Sequence, residues 1–187
     1  MTQRGQWIFV LVIVGALAGA LVLGVTLTPA LQTVGVESKA PDFRAVNVAS
    51  GDTVSSDQYE GDVVLLNIWA TYCGPCVVEM PAIQRLYDEL APYGLKVVAI
   101  SVDLTDVEHV RDWIDERGFT FDVLHDQSAR IERDYQTTGV PESFVINRDG
   151  IIVKKVIGAV EWDHPTQVAL MRRLLGADEQ PTQKRGQ

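Results

Sequence analysis

Three apolar stretches organise this chain. Residues 7–27 (Trp7 to Leu27) are apolar and uncharged throughout. Two shorter runs, Val63-Val64-Leu65-Leu66-Asn67-Ile68-Trp69-Ala70 and Leu95-Lys96-Val97-Val98-Ala99-Ile100-Ser101-Val102, read as buried strands. Between them the spacing turns helical over 73–91, with Cys76, Met80, Ile83, Tyr87 and Leu90 on one side. Residues 42–48 and the Gly51-Asp52 turn predict a short N-terminal hairpin. Thr105 and Glu108 form a capping-box pattern opening a helix that stops near Gly118. A short strand over 121–124 and a helix over 128–135 follow. Segments 143–147 and 151–157, joined by Arg148-Asp149-Gly150, predict a second hairpin. Asp163 then caps a last helix ending at Gly176. Strands alternating with helices, closed by a hairpin and a helix, predict an α/β fold around a mixed sheet.

This pattern divides the chain into a short N-terminus (1–6), an apolar span (7–27), a small polar spacer (28–40), one domain (41–176) and a disordered polar tail (177–187). At 1.5 Å per residue the span can cross a bilayer core of about 30 Å. A cleavable signal would have a shorter apolar region, roughly 7–15 residues, ending at a small-residue site. Ala18-Gly19-Ala20 falls inside the run, and Thr28-Pro29-Ala30 matches poorly, so an uncleaved single-pass anchor is expected. Arg4 and the amino terminus precede it, placing the N-terminus in the cytoplasm and the domain outside.

The chain has 187 residues, 47% of them apolar, enough for one domain with a substantial core. Its formal charge is −9, and beyond residue 40 there are 14 basic against 24 acidic side chains. An acidic domain repels phosphate backbones, which argues against a nucleic-acid partner. The plain meaning of the charge is solubility.

The two cysteines stand in Cys73-Gly74-Pro75-Cys76, where the first buried run gives way to helical spacing. Unpaired amide N–H groups and the helix dipole at such an end favour an anion. They can lower a cysteine pKa from about 8.5 to roughly 3.5–7.5. A permanent disulfide would close too small a loop to stabilise much. Zinc needs four ligands as a rule, and His109, His125 and His164 are scattered without ligand spacing. Redox chemistry is therefore expected, with no metal and no cofactor. Pro75 suits a first helical turn, while Pro81 falls inside the helix and should kink it. At about 100° per residue Glu79 lies in the apolar sector, whereas Arg85 and Glu89 point away. A partly buried Glu79 beside Cys76 could take the proton of that thiol and favour the disulfide; the alternative is a surface glutamate.

Trp69-Ala70-Thr71-Tyr72-Cys73-Gly74-Pro75-Cys76, with Pro81 and a distant Gly139-Val140-Pro141, resembles the thioredoxin superfamily. Asn67, Glu79-Met80-Pro81 and Gly139-Val140-Pro141-Glu142-Ser143-Phe144 resemble its membrane-anchored extracytoplasmic branch. That branch comprises the TlpA, ResA and DsbE/CcmG-type thiol–disulfide oxidoreductases, several of which serve cytochrome c maturation. The resemblance spans residues 41–176 and implies a thioredoxin-like fold: a central mixed sheet flanked by helices. It implies that Cys73 attacks a substrate disulfide, that Cys76 resolves the mixed disulfide, and that Glu79 relays a proton. Asn67 fills the position of a buried aspartate in cytoplasmic thioredoxins. The resemblance further implies a cis Val140–Pro141 bond, with the Val140 backbone pairing to a bound peptide. Trp69 packs beside the site or serves the core; Tyr72 faces substrate; Glu142 either adds negative charge or is a solvated loop acid. Implied partners are protein disulfides, with apocytochrome c as a family-level expectation, and a transmembrane electron donor. Two alternatives share the fold. A peroxiredoxin-like peroxidase needs a threonine three residues before its thiol, where Ala70 stands. A Sco-like copper chaperone would use His125 with cysteines spaced one residue wider.

Overall fold

The structure, a computed structural model, describes residues 3–27 and 33–177. The chain divides into two units, Met1–Thr33 and Val34–Gln187. In the first unit a single helix, α1 (Gln3–Leu27), contains the whole apolar span. Its stretch Gln6–Leu23 has a mean hydropathy of 2.4 and is long and apolar enough to cross a membrane once.

The second unit is built on β3 (Val63–Trp69), whose seven residues are all buried. An apolar run without alternation has no face to give to water, so it takes the centre of the sheet. There it pairs in parallel with β4 (Leu95–Ser101) and antiparallel with β6 (Glu142–Ile146). Outward on one side lie β5 (Asp122–His125), parallel to β4, then β1 (Arg44–Asn47) and β2 (Thr53–Ser55). On the other side β7 (Ile152–Ile157) pairs antiparallel with β6. The order is β2-β1-β5-β4-β3-β6-β7, one mixed sheet of seven strands. β1 and β2 pair antiparallel in the register Ala45↔Val54. Gly150, at φ +74°, closes the β6–β7 turn, and its N–H donates to the Asn147 carbonyl.

Four helices complete this unit: α2 (Gly74–Leu90), α3 (Val107–Asp115), α4 (Arg130–Asp134) and α5 (Pro165–Leu175). Helix α2 continues through Pro81 to Leu90 and buries Cys76, Glu79, Met80, Ile83, Leu86 and Leu90. Each fully buried large aliphatic side chain here contributes about 1.5–3 kcal/mol by leaving water. Two caps differ from the sequence pattern. Asp106, not Thr105, caps α3, its carboxylate accepting the His109 N–H at 3.1 Å. His164, not Asp163, caps α5, because Asp163 is drawn into an ion pair with Arg85 at 2.6 Å.

Part of the expected spacer is bonded to the sheet edge. The Glu37 N–H donates to the Ile152 carbonyl and the Ile152 N–H to the Ser38 carbonyl, so residues 37–39 extend the β7 edge. The compact unit thus begins at Val34 rather than at residue 41. Ala177 closes α5 by donating to the Arg172 carbonyl. The rest of the expected tail, 178–187, and spacer residues 28–32 lie outside the described residues.

Candidate active site

The carboxyl end of β3 leads through a tight turn into α2, and the two cysteines stand at the start of that helix. Cys73 is the N-cap of α2 and Cys76 lies in its first turn. They form a disulfide with Cα atoms 5.2 Å apart. The Cys76 N–H points at Cys73 Sγ from 3.2 Å, so the sulfur sits in the place of an N-cap oxygen. Pro75 in the same turn has no N–H to leave unpaired. Cys73 keeps 7% of its surface exposed against 1% for Cys76. The outer sulfur is therefore the one a second molecule can reach.

The loop before β6 lies against this sulfur. The Val140–Pro141 bond is cis, and the Val140 carbonyl oxygen is 3.5 Å from Cys73 Sγ. In the disulfide that sulfur carries no proton; reduced, its S–H can donate to this carbonyl. Pro141 is buried, and its own carbonyl accepts the Gly158 N–H at 2.8 Å, which ties the loop to the end of β7.

Glu79 lies one helical turn beyond Cys76 and is only 2% exposed, so the surface-glutamate alternative is set aside. Its Oε1 accepts the Trp162 indole N–H at 2.6 Å and the Val160 N–H at 3.1 Å. Its Oε2 accepts Asn67 Nδ2 at 3.3 Å. Burial pushes the Glu79 pKa above its ordinary 4.5, and the bonds from Trp162, Val160 and Asn67 oppose that rise in part. Asn67 also donates to Ser143 Oγ at 2.8 Å, its cross-strand partner on β6. A buried carboxyl whose pKa is raised can exchange a proton with a neighbouring thiol.

Three expectations change on contact with the structure. Trp69 is fully buried, its ring 4.9 Å from that of Trp113, so it supports the site from beneath and offers no surface to a substrate. Glu142 is no solvated loop acid: it opens β6 fully buried and pairs with Lys155 at 2.8 Å. Its Oε2 accepts the Thr138 N–H at 3.0 Å, fastening the loop that leads to Pro141. His125 gives its Nε2–H to the Asp103 carbonyl at 2.8 Å. Among the described residues, no group of three or more His, Cys, Asp or Glu is placed to hold a metal ion. Tyr72 is 72% exposed beside Cys73.

Sequence reasoning missed Val160, Trp162 and Asp103. The first two reach Glu79 from more than 80 positions away, and no local pattern announces such a contact. Asp103 follows β4 and collects donors from Thr71 and Ser101.

Comparison with known proteins places this geometry. A model of the AhpC/TSA family matches residues 36–155. Thiol-disulfide oxidoreductase ResA of Oceanobacillus iheyensis is 34% identical over 168 residues, 86% of each chain. ResA of Bacillus thuringiensis is 32% identical, covering 81% of this chain and 85% of the relative. A crystal structure of a thiol:disulfide interchange protein of the thioredoxin family, from Chlorobium tepidum, superimposes with a TM-score of 0.63. It is 26% identical and covers 75% of this chain and 97% of its own. The mixed sheet flanked by helices is thus a thioredoxin-like fold, and the Cys73–Cys76 pair opens the helix that follows its central strand. This chain belongs to the AhpC/TSA family, and within it to the ResA-like thiol–disulfide oxidoreductases.

Proposed function

We propose that this protein is a membrane-tethered disulfide reductase acting on exported proteins at the outer face of the membrane. The observation that carries the reading is the Cys73 sulfur at a helix N-terminus, in the more exposed residue of the pair, backed one turn past Cys76 by a buried carboxyl. In the reduced protein the Cys73 thiolate attacks one sulfur of a client disulfide. The client S–S bond breaks, its second sulfur leaves and takes a proton, and a Cys73–client disulfide forms. Cys76 then gives its proton to Glu79 and attacks Cys73. The Cys73–Cys76 disulfide forms and the second client thiol departs. Two electrons have moved from the pair to the client. A membrane-embedded dithiol donor must return two electrons and two protons for the next turnover.

Substrate binding falls to the Val140 backbone, Pro141 and Tyr72, with an extended client segment added beside Val140 as a strand. The span 7–27 is the anchor, with the amino terminus in the cytoplasm. The name of the ResA relatives supports thiol–disulfide chemistry; apocytochrome c is the client we infer, because its paired haem-attachment cysteines must be thiols before haem can be added. A peroxidase on this fold lacks its threonine, since position 70 is Ala70 and the Thr71 hydroxyl is held by Asp103. Expression of the full chain with Cys76→Ser in its own membrane, followed by identification of proteins trapped on Cys73, tests the proposal. Apocytochrome in the trapped fraction supports it. A broad set of unrelated secreted proteins overturns the apocytochrome client, and an empty fraction overturns the exchange mechanism.

A further inference from the structure

Asp103 is a buried acid with no place in the exchange chemistry above. It follows β4 at 1% exposure, just across from the end of β3. Oδ2 accepts the Thr71 N–H at 2.9 Å and the Ser101 hydroxyl at 2.6 Å; Oδ1 accepts the Thr71 hydroxyl at 2.5 Å. The acid is itself located, since its N–H donates to Ser101 Oγ and its carbonyl accepts His125 Nε2. Thr71 is a corner of the tight turn 70–73, which the Cys73 N–H closes onto the Ala70 carbonyl at 3.1 Å. One carboxylate thus holds the backbone and side chain of the residue two places before the outer sulfur. Without it the Thr71 N–H, half-buried, loses its carboxylate acceptor.

We propose that Asp103 is a positioning residue: it holds the 70–73 turn so that the Cys73 sulfur stays against the Cys76 N–H at the start of α2. The inference rests on Cys73 being the attacking sulfur. Its signature is chemical as well as structural, because a sulfur that drifts from the helix end loses the donors that stabilise its thiolate. Asp103→Asn keeps a carbonyl oxygen for the Thr71 N–H and the Ser101 hydroxyl, while its amide can face Thr71 Oγ1, a hydroxyl able to accept. Asp103→Ala keeps nothing.

The test is alkylation of Cys73 against pH in the reduced full-length protein, with insulin reduction measured beside it. Glu79 on α2 and His109, whose Nε2 is 3.4 Å from Thr71 Oγ1, are ionisable groups on the neighbouring elements, so the series is repeated on a His109→Gln background. Asp103→Ala should raise the apparent Cys73 pKa by about one unit, slowing alkylation about tenfold at pH values below the wild-type pKa, with the deficit vanishing near pH 10. Asp103→Asn should stay within about threefold of wild type. Thr71→Val, which keeps the N–H contact and loses only the hydroxyl, should move the same way by less and serves if the alanine variant does not fold. An Asp103→Ala or Thr71→Val profile equal to wild type overturns the inference, as does an Asp103→Asn loss matching Asp103→Ala. If wild type itself neither alkylates early nor reduces insulin, the oxidoreductase mechanism fails instead.

Discussion

The indole N–H of Trp162 donates to Glu79 Oε1 at 2.6 Å, joining the helix that carries the cysteines to the loop before α5. Both residues are buried, so neither can exchange this partner for water. Trp162→Phe removes the donor and leaves a void where the larger ring lay. The expected loss is about 2–4 kcal/mol in urea unfolding of the oxidised protein. It should grow as pH rises through the native Glu79 pKa, because the bond is stronger to a carboxylate than to a carboxyl. An equal loss on both sides of that pKa would mean that packing alone is at stake.

Glu79 also makes stability depend on pH. Burial raises its native pKa above the ordinary 4.5, so the folded protein binds this proton more tightly than the unfolded chain does. That contribution is fully present below about pH 4.5 and is lost as pH rises through the native value. Glu79→Gln cannot titrate. The stability of wild type relative to this variant should therefore fall as pH rises from about 4.5 through the native Glu79 pKa. A difference that is flat, or that grows with pH, contradicts a buried carboxyl held towards its neutral form.

Much of this was legible in the residues, and the limits have physical causes. β3 could be read because a strand buried on both faces needs no alternation, and Val63–Trp69 shows none. Glu79 could be placed because helical angle is a local property. Its donors could not, since Trp162 arrives only when the chain has folded back onto α2. The caps of α3 and α5 slipped by one residue because Thr105 and Asp106 are both competent, as are Asp163 and His164, and tertiary partners decide. Arg85 takes Asp163 and leaves His164 to cap. Residues 34–40 read as spacer because a polar segment on a sheet edge takes its order from the backbone of β7, which side-chain pattern does not reveal.

Lys155 neutralises Glu142 beneath the loop that carries Pro141. Lys155→Met leaves a buried carboxylate without its counter-charge, at a cost of about 3 kcal/mol, the low end of the range because the lysine keeps 20% of its side chain in solvent. Adding Glu142→Gln should restore most of that loss, since the amide oxygen can still accept from Thr138. Failure of the second change to rescue the first would show that the pair does not act as a unit.

Tyr72 offers the opposite case. Tyr72→Ser should leave unfolding within about 0.5 kcal/mol of wild type, because the ring touches little. On a folded protein disulfide kcat/KM should fall about tenfold, as a contact made only with a large partner is lost. A small disulfide such as oxidised glutathione should react nearly as before. Equal losses on both substrates would place Tyr72 in the chemistry rather than in recognition.

The most direct test of the central claim is the order in which the two reduced thiols react. Iodoacetamide labelling of the folded protein across pH, read by mass spectrometry, should modify Cys73 with an apparent pKa well below about 8.5 and spare Cys76 until the protein unfolds. The same preparation should reduce insulin while forming one Cys73–Cys76 disulfide per bond cleaved. If both thiols titrate near 8.5 and insulin stays intact, Cys73 and Cys76 are a structural staple and the exchange mechanism is wrong.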